Sequence, residues 1–203
     1  MLLGSCNSND PLYFNEQEKE LINSGDENQA MRVLLTTDYN DSIFLRQKSK
    51  DIKPNLKDSN LLKLIKRMRV SLSENHGVGI AAPQVGVARN IFLLCRLDKP
   101  GSPVEAIINP QIISYSSDTT NFYGDGCLSI PDMWGVSERY KSLRVKYYNE
   151  QGLEIEEEIN GYLPNDFTAI IFQHEFDHLQ GTLFIDRIHN NELYISSQTP
   201  RKR

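Results

Sequence analysis

Apolar residues in this chain recur at two spacings, and each spacing predicts a different element. Leu61, Leu64, Ile65, Met68 and Leu72 repeat every three or four residues behind Asp58 and Ser59, either of which can cap a helix. A helix over 59–75 follows, ending near Asn75-His76-Gly77 with His76 in its last turn. Phe167, Ile170, Ile171, His174 and His178 keep the i, i+3, i+4, i+7, i+11 pattern, so two imidazoles continue an inward-facing apolar stripe. Phe172, Phe176 and Leu179 cover much of the remaining surface, which predicts a helix buried nearly all round, with Asn165 as N-cap and Gly181 just past its end. The short runs 91–95, 104–108, 143–148 and 153–159 predict strands, and Asn149-Glu150-Gln151-Gly152 a hairpin turn between the last two. Met31 to Leu35 is also strand-like, Glu16 to Ile22 suits a short helix, and 49–57, broken by Pro54, reads as a loop. Glu154, Glu156, Glu157 and Glu158 fit the solvated face of an edge strand. The fold class is therefore α+β, with mostly antiparallel strands around a central helix that carries His174 and His178, and the 59–75 helix packed outside.

Length and composition bound this picture. With 203 residues, 39% hydrophobic and 24% charged, the chain suits one well-packed domain better than two. The expected division is a polar leader over 1–30, disordered or a tether, a single globular domain over 31–190, and a tail over 191–203. Net charge is 22 − 27 = −5, and the one basic cluster, Arg201-Lys202-Arg203, reads as a solvated end, so no direct nucleic-acid binding is expected. Three cysteines without a CxxC pair suit reduced thiols, with Cys95 an inert strand residue. Leu3-Gly4-Ser5-Cys6 resembles the end of a lipoprotein signal, but the basic and apolar regions of such a signal do not precede it. A membrane-anchored lipoprotein through Cys6 is the alternative to a cytoplasmic protein, should the true start lie upstream. No stretch is long or apolar enough to span a bilayer.

The chemistry concentrates in His174-Glu175-Phe176-Asp177-His178. Imidazoles four residues apart on a helix project from one face and can hold one Zn²⁺ or Fe²⁺. Glu175 then falls beside the ion, where a carboxylate can take a proton from water. An HExxH helix alone also fits metallopeptidases that cut internal amides. Their extended pattern HExxHxxGxxH is met at Gly181 but carries Phe184 where the third histidine belongs. Glu192, the only later glutamate, is a poor substitute in a short tail. The remaining soft ligand is Cys127, set between Gly126 and Leu128-Ser129-Ile130, where a glycine lets the backbone approach a metal closely.

With Gly77-Val78-Gly79-Ile80-Ala81-Ala82-Pro83-Gln84, Gly126-Cys127-Leu128-Ser129 and the HExxH helix in this order, the chain resembles peptide deformylases from about residue 38 to 188. The resemblance implies a metallohydrolase that removes the formyl group from N-formylmethionyl peptides and releases formate. Cys127, His174 and His178 would hold one divalent ion, Fe²⁺ favoured by the family and Zn²⁺ the alternative. Glu175 would move the proton, while the Gln84 side-chain amide and the Leu128 backbone N–H would stabilise the oxyanion. Val78, Gly79, Ile170 and Ile171 are candidates for the methionine pocket, and a monomer acting on nascent chains is expected. One position departs from the family: Asp125 stands where glutamate is usual. It admits a third reading, a deformylase-like protein that binds without turnover; Asp125 is either the ion-pair partner of Arg139 or a solvated residue of a glycine turn.

Overall fold

The computed structural model describes residues 11–54 and 57–195, of which 189–191 by their backbone only. Its larger sheet has five antiparallel strands: β1 (Gly79–Ala81), β2 (Ile91–Cys95), β3 (Val104–Tyr115), β6 (Ser142–Tyr148) and β7 (Glu154–Asn160), in the order β1-β2-β3-β6-β7. Alternation along β2 explains its continuous apolar run. Ile91 and Leu93 pack with Leu61, Leu64 and Met68, while Phe92 and Leu94 pack on the opposite face with Ile107, Val145 and Phe172. A strand covered on both faces needs apolar side chains at every position. The covering layers are α3 (Ser59–Glu74), capped by Asp58, and α4 (Thr168–Leu179), whose Phe172 meets Phe92 edge-on at 5.0 Å between ring centres.

A smaller sheet of three antiparallel strands stands beside it, in the order β4-β5-β8: β4 (Thr119–Cys127), β5 (Ile130–Tyr140) and β8 (Ile188–Ile195). None of these three strands is predicted by hydrophobic pattern, because their side chains are largely polar, aromatic or functional. The hairpin at 149–152 forms as expected, with the Asn149 N–H donating to the Leu153 carbonyl. At the open edge of the larger sheet, β7 leaves Glu154, Glu156 and Glu158 exposed. Glu157 differs from expectation: it turns inward to the buried Arg96, since that guanidinium needs carboxylates around it.

Four further expectations change. Met31 to Leu35 forms no strand and joins no sheet; single hydrogen bonds hold it, from the Met31 N–H to Ser71 Oγ and from the Leu34 N–H to the Gln84 carbonyl. Asn165 does not cap α4. Phe167 occupies the cap position and Asp166 Oδ1 accepts from the Thr168 N–H, so the carboxylate two residues before the helix satisfies its first turn. Gly181 does follow the helix at φ 70°, and a Cβ there would run into the Arg46 carbonyl.

The third change is at residues 11–30, which form a packed arm rather than a leader. Helix α1 (Glu16–Asn23) opens with an Asn15/Glu18 capping box and buries Phe14 and Ile22 in the core; burying side chains of this size contributes about 1.5–3 kcal/mol each. Arg89 clamps the arm by donating to Glu18 Oε2 at 2.7 Å and to the Pro11 and Tyr13 carbonyls. The fourth is at the other end, where residues 191–195 belong to β8 rather than to a tail. The readings of Cys6 and of Arg201-Lys202-Arg203 lie outside the described residues. Helix α2 (Tyr39–Leu45), capped by Asp38, completes the elements. Among the described residues no helix is long and apolar enough to cross a membrane.

Candidate metal centre and its cleft

Three elements converge on the centre: α4 supplies His174, Glu175 and His178, the end of β4 supplies Cys127, and the 3₁₀ turn Ala82–Val85 supplies Gln84. One donor atom each from Cys127, His174 and His178 lies within 4.8 Å of the other two, and Cys127 Sγ is 3.2 Å from His178 Nε2. Ligands 2.0–2.3 Å from one ion at tetrahedral angles stand about 3.3–3.8 Å apart, so this donor set fits a divalent cation. Phe184, at the position of the missing third histidine, is buried and lies 6.3 Å from the His174 ring centre to centre. It packs the helix instead of ligating.

Orientation of the first imidazole is fixed from behind. Asp125 Oδ1 pairs with His174 Nδ1 at 2.8 Å, which leaves Nε2 to face the cluster. Asp125 Oδ2 accepts from Ser137 Oγ at 2.6 Å and from Arg139 at 3.1 Å. Arg139 in turn donates to Asp177 at 2.5 Å, and Asp177 also takes Arg187 at 2.8 Å. Burial alone would raise the Asp125 pKa, yet His174, Arg139 and Ser137 together hold it well below the usual carboxylate range. Burial likewise would lower the His174 pKa, but Asp125 carries it upward; His178, with Nδ1 buried and unpartnered among the described residues, is pushed down by burial and by His174. The expected Asp125–Arg139 pair is thus present, and it is one link of a longer buried chain. Ser137, Asp177 and Arg187 were not singled out by sequence reasoning. Asp177 could have been, since a carboxylate inside a helix buried all round needs a cationic partner.

Glu175 is buried beside the ligands. Burial pushes its carboxyl up to about 7, with Asp125 adding and His174 and Arg139 opposing, and Oε2 has no hydrogen-bond partner among the described residues. Gly79 makes this position available, because a Cβ there would run into the Glu175 carboxylate. Gln84 is held by the Ala81 N–H donating to Oε1 at 2.9 Å, which turns Nε2 towards Cys127 Sγ at 3.4 Å and Ser129 Oγ at 3.2 Å. The cleft outside these groups has a volume of about 1010 Å³, and its walls include Val78, Gly79, Leu128, Ile170 and Ile171. Ile170 and Ile171 lie deep and buried, whereas Val78 stands exposed at the rim. His76, past the end of α3 at φ 52°, is also at the wall of the cleft and away from the ligand set.

The chain is similar to known proteins in sequence and fold. The family model described as polypeptide deformylase matches residues 33–193, more than half of the chain. The peptide deformylase of Thermotoga maritima is 45% identical over 131 residues, covering 64% of this chain and 74% of that one. That of Leptospira biflexa is 37% identical over 159 residues, covering 74% and 86%. The Met-Ala-Ser-bound crystal structure of the Acinetobacter baumannii enzyme superposes with a TM-score of 0.69 at 32% identity, covering 79% of this chain and 99% of that one. Sequence, fold and ligand geometry lead to one conclusion: the chain belongs to the polypeptide deformylase family, hydrolases that remove the N-formyl group from new peptides.

Proposed function

We propose that this protein deformylates N-formylmethionyl peptides with Cys127, His174 and His178 as metal ligands and Glu175 as proton shuttle. The observation that carries the reading is the convergence of three ligand atoms beside a buried carboxyl poised near neutrality. A divalent cation held there supplies a Lewis acid that makes water nucleophilic near pH 7. Fe²⁺ is the ion the family favours, and the mixed thiolate and imidazole donors also suit Zn²⁺. Glu175 takes the proton released as the water oxygen adds to the formyl carbon. It then delivers that proton to the amine nitrogen as the carbon–nitrogen bond breaks, so formate and a free amino terminus leave. Gln84 Nε2, oriented through Ala81, and the Leu128 backbone N–H hold the oxyanion, a contact whose loss costs about 2.7–4 kcal/mol.

Ile170 and Ile171 form the floor of the methionine pocket, with Val78 and Gly79 at its mouth. All of these groups come from one chain, so a monomer suffices. A cytoplasmic enzyme follows from where its substrate, the nascent chain, is made, and the acidic net charge of −5 argues against direct nucleic-acid binding. The catalytic unit takes in the packed arm from residue 11 and β8 to residue 195 besides the expected 31–190. The test is formate release from formyl-Met-Ala-Ser by protein of measured metal content, set against cleavage of an unformylated peptide. Formate without internal cleavage supports deformylation; internal cleavage without formate would assign the protein to the metallopeptidases instead.

A further inference from the structure

Residues 34–36 give three consecutive N–H groups to three different elements. The Leu34 N–H donates to the Gln84 carbonyl and the Thr36 N–H to the Ser129 carbonyl, each at 2.8 Å. The first carbonyl belongs to the 3₁₀ turn that carries the Gln84 amide, and the second to the residue after Leu128. Two residues span at most about 7 Å, so this short segment limits how far apart the two walls can stand. Gln84 Nε2 joins the walls a second time by donating to Ser129 Oγ at 3.2 Å. Between the two outer bonds, the Leu35 N–H donates to Asp41 Oδ2 at 2.9 Å, and Arg32 donates to both carboxylate oxygens of Asp41 at 2.7 and 2.8 Å. Asp41 sits on α2 with 6% of its surface exposed, whereas the Arg32 side chain is 68% exposed. A cation so open to water adds little strength to the pair, and α2 already has its cap in Asp38. What the buried carboxylate secures is the Leu35 N–H. Val33 and Leu34 pack on the core, which holds the segment in place without fixing the direction of its N–H groups; the charge-assisted bond to Asp41 fixes that direction.

We propose that Asp41 is a positioning residue for the oxyanion donors: through the Leu35 N–H it sets residues 34–36, which hold the Gln84 turn and the Leu128–Ser129 loop at a fixed separation. The proposal rests on the deformylase reading of the site and adds to it a side chain that does not line the cleft. Oxyanion donors act only when aimed at the place where charge develops, and a displacement of about 1 Å caused by a remote change can lower a rate about 10²-fold. Asp41 reaches the reaction only through Gln84 and Leu128, so its loss lowers kcat and leaves KM nearly as it was.

Formate release from formyl-Met-Ala-Ser is to be measured for wild type, Asp41→Ala, Asp41→Asn, Gln84→Ala and the double variant Asp41→Ala/Gln84→Ala, all at equal metal content. Asp41→Ala should lower kcat about 10–100-fold with KM within about twofold. Asp41→Asn keeps an acceptor for the Leu35 N–H while losing the charge, and should stay within about threefold of wild type. In the Gln84→Ala background, removing Asp41 should cost about threefold or less, because a donor that is absent cannot be misplaced. A merely structural role would lower both backgrounds by the same factor, which would overturn the proposal, as would an Asn variant no better than the Ala variant. A second readout needs no variant and covers the case in which Asp41→Ala fails to fold. In amide hydrogen exchange of the wild type, Leu34, Leu35 and Thr36 should be protected together and open as one unit. If Leu35 exchanges like an open amide while its neighbours stay protected, Asp41 does not hold the segment and the proposal fails. If the wild type releases no formate, the deformylase reading fails and takes the kinetic role of Asp41 with it, while the exchange pattern still decides whether the segment is held as described.

Discussion

The two sheets bury the same kind of chemistry and put it to different ends. In the five-stranded sheet Arg96, 1% exposed, is ringed by Asp98, Glu105 and Glu157, and its charges close on one another. In the three-stranded sheet Arg139, 2% exposed, starts a similar arrangement with Asp125 and Asp177, but this one ends on the ring of His174. A buried guanidinium surrounded by carboxylates is therefore not in itself a sign of function. What distinguishes the second network is its last member, a candidate metal ligand whose ring the carboxylate orients. The first network braces a scaffold, and the second braces the candidate metal centre.

Substitutions that separate scaffold from centre test this contrast. Asp125→Ala strands Arg139 and releases His174 together, so it should cost on the order of 3–5 kcal/mol in denaturant unfolding and weaken metal retention about 10–100-fold. Wild-type metal retention in a folded variant would show that His174 needs no support. Leu143→Ala, in the core of the five-stranded sheet, should cost about 2–5 kcal/mol while the folded fraction keeps its metal affinity. Loss of metal from that variant would mean that the two regions are not separable.

A smaller effect concerns pH. Because burial raises the folded-state pKa of Glu175 to about 7 from its ordinary value of 4.5, the folded metal-free protein holds an extra proton between those values. The Glu175 contribution to stability should fall as pH rises from about 4.5 to 7, by on the order of 3 kcal/mol, and change no further above that. In melts of the metal-free protein, the stability difference between wild type and Glu175→Gln should change across this range by that amount; a difference constant with pH would locate the titration elsewhere. The smallest effect is expected for Asp125→Glu, which restores the residue usual in the family. Turnover should stay level or rise, and a clear drop would mean that the loop is built around the shorter side chain.

Legibility in the sequence follows the same division. Strands β2, β6 and β7 and helices α3 and α4 were readable because an apolar face must be continuous to be buried, and continuity leaves a period. Strands β4 and β5 left none, since Asp125, Cys127, Ser137 and Arg139 occupy positions that a scaffold strand would fill with aliphatic residues. β8 was hidden because its pairing depends on one glycine in another strand, Gly135. Residues 11–30 looked like a leader because a polar α1 carries its anchoring through Glu18, whose partner Arg89 is 71 residues away. The juxtaposition of His174, Glu175 and His178 was legible for a different reason, as HExxH spacing is a local geometric statement. The chain Asp125–Arg139–Asp177–Arg187 was only half legible, because ion pairs across three elements leave no spacing to read.

The central claim is that Glu175 moves the proton at a Cys127/His174/His178 metal centre. Formate release from formyl-Met-Ala-Ser, measured side by side for metal-loaded wild type and Glu175→Gln at equal metal content, tests it most directly. The account predicts steady turnover by the wild type and a rate lower by about 10²–10⁴ in the variant, with its metal retained. Equal rates in the two proteins, or no formate from a fully metal-loaded wild type, would contradict it.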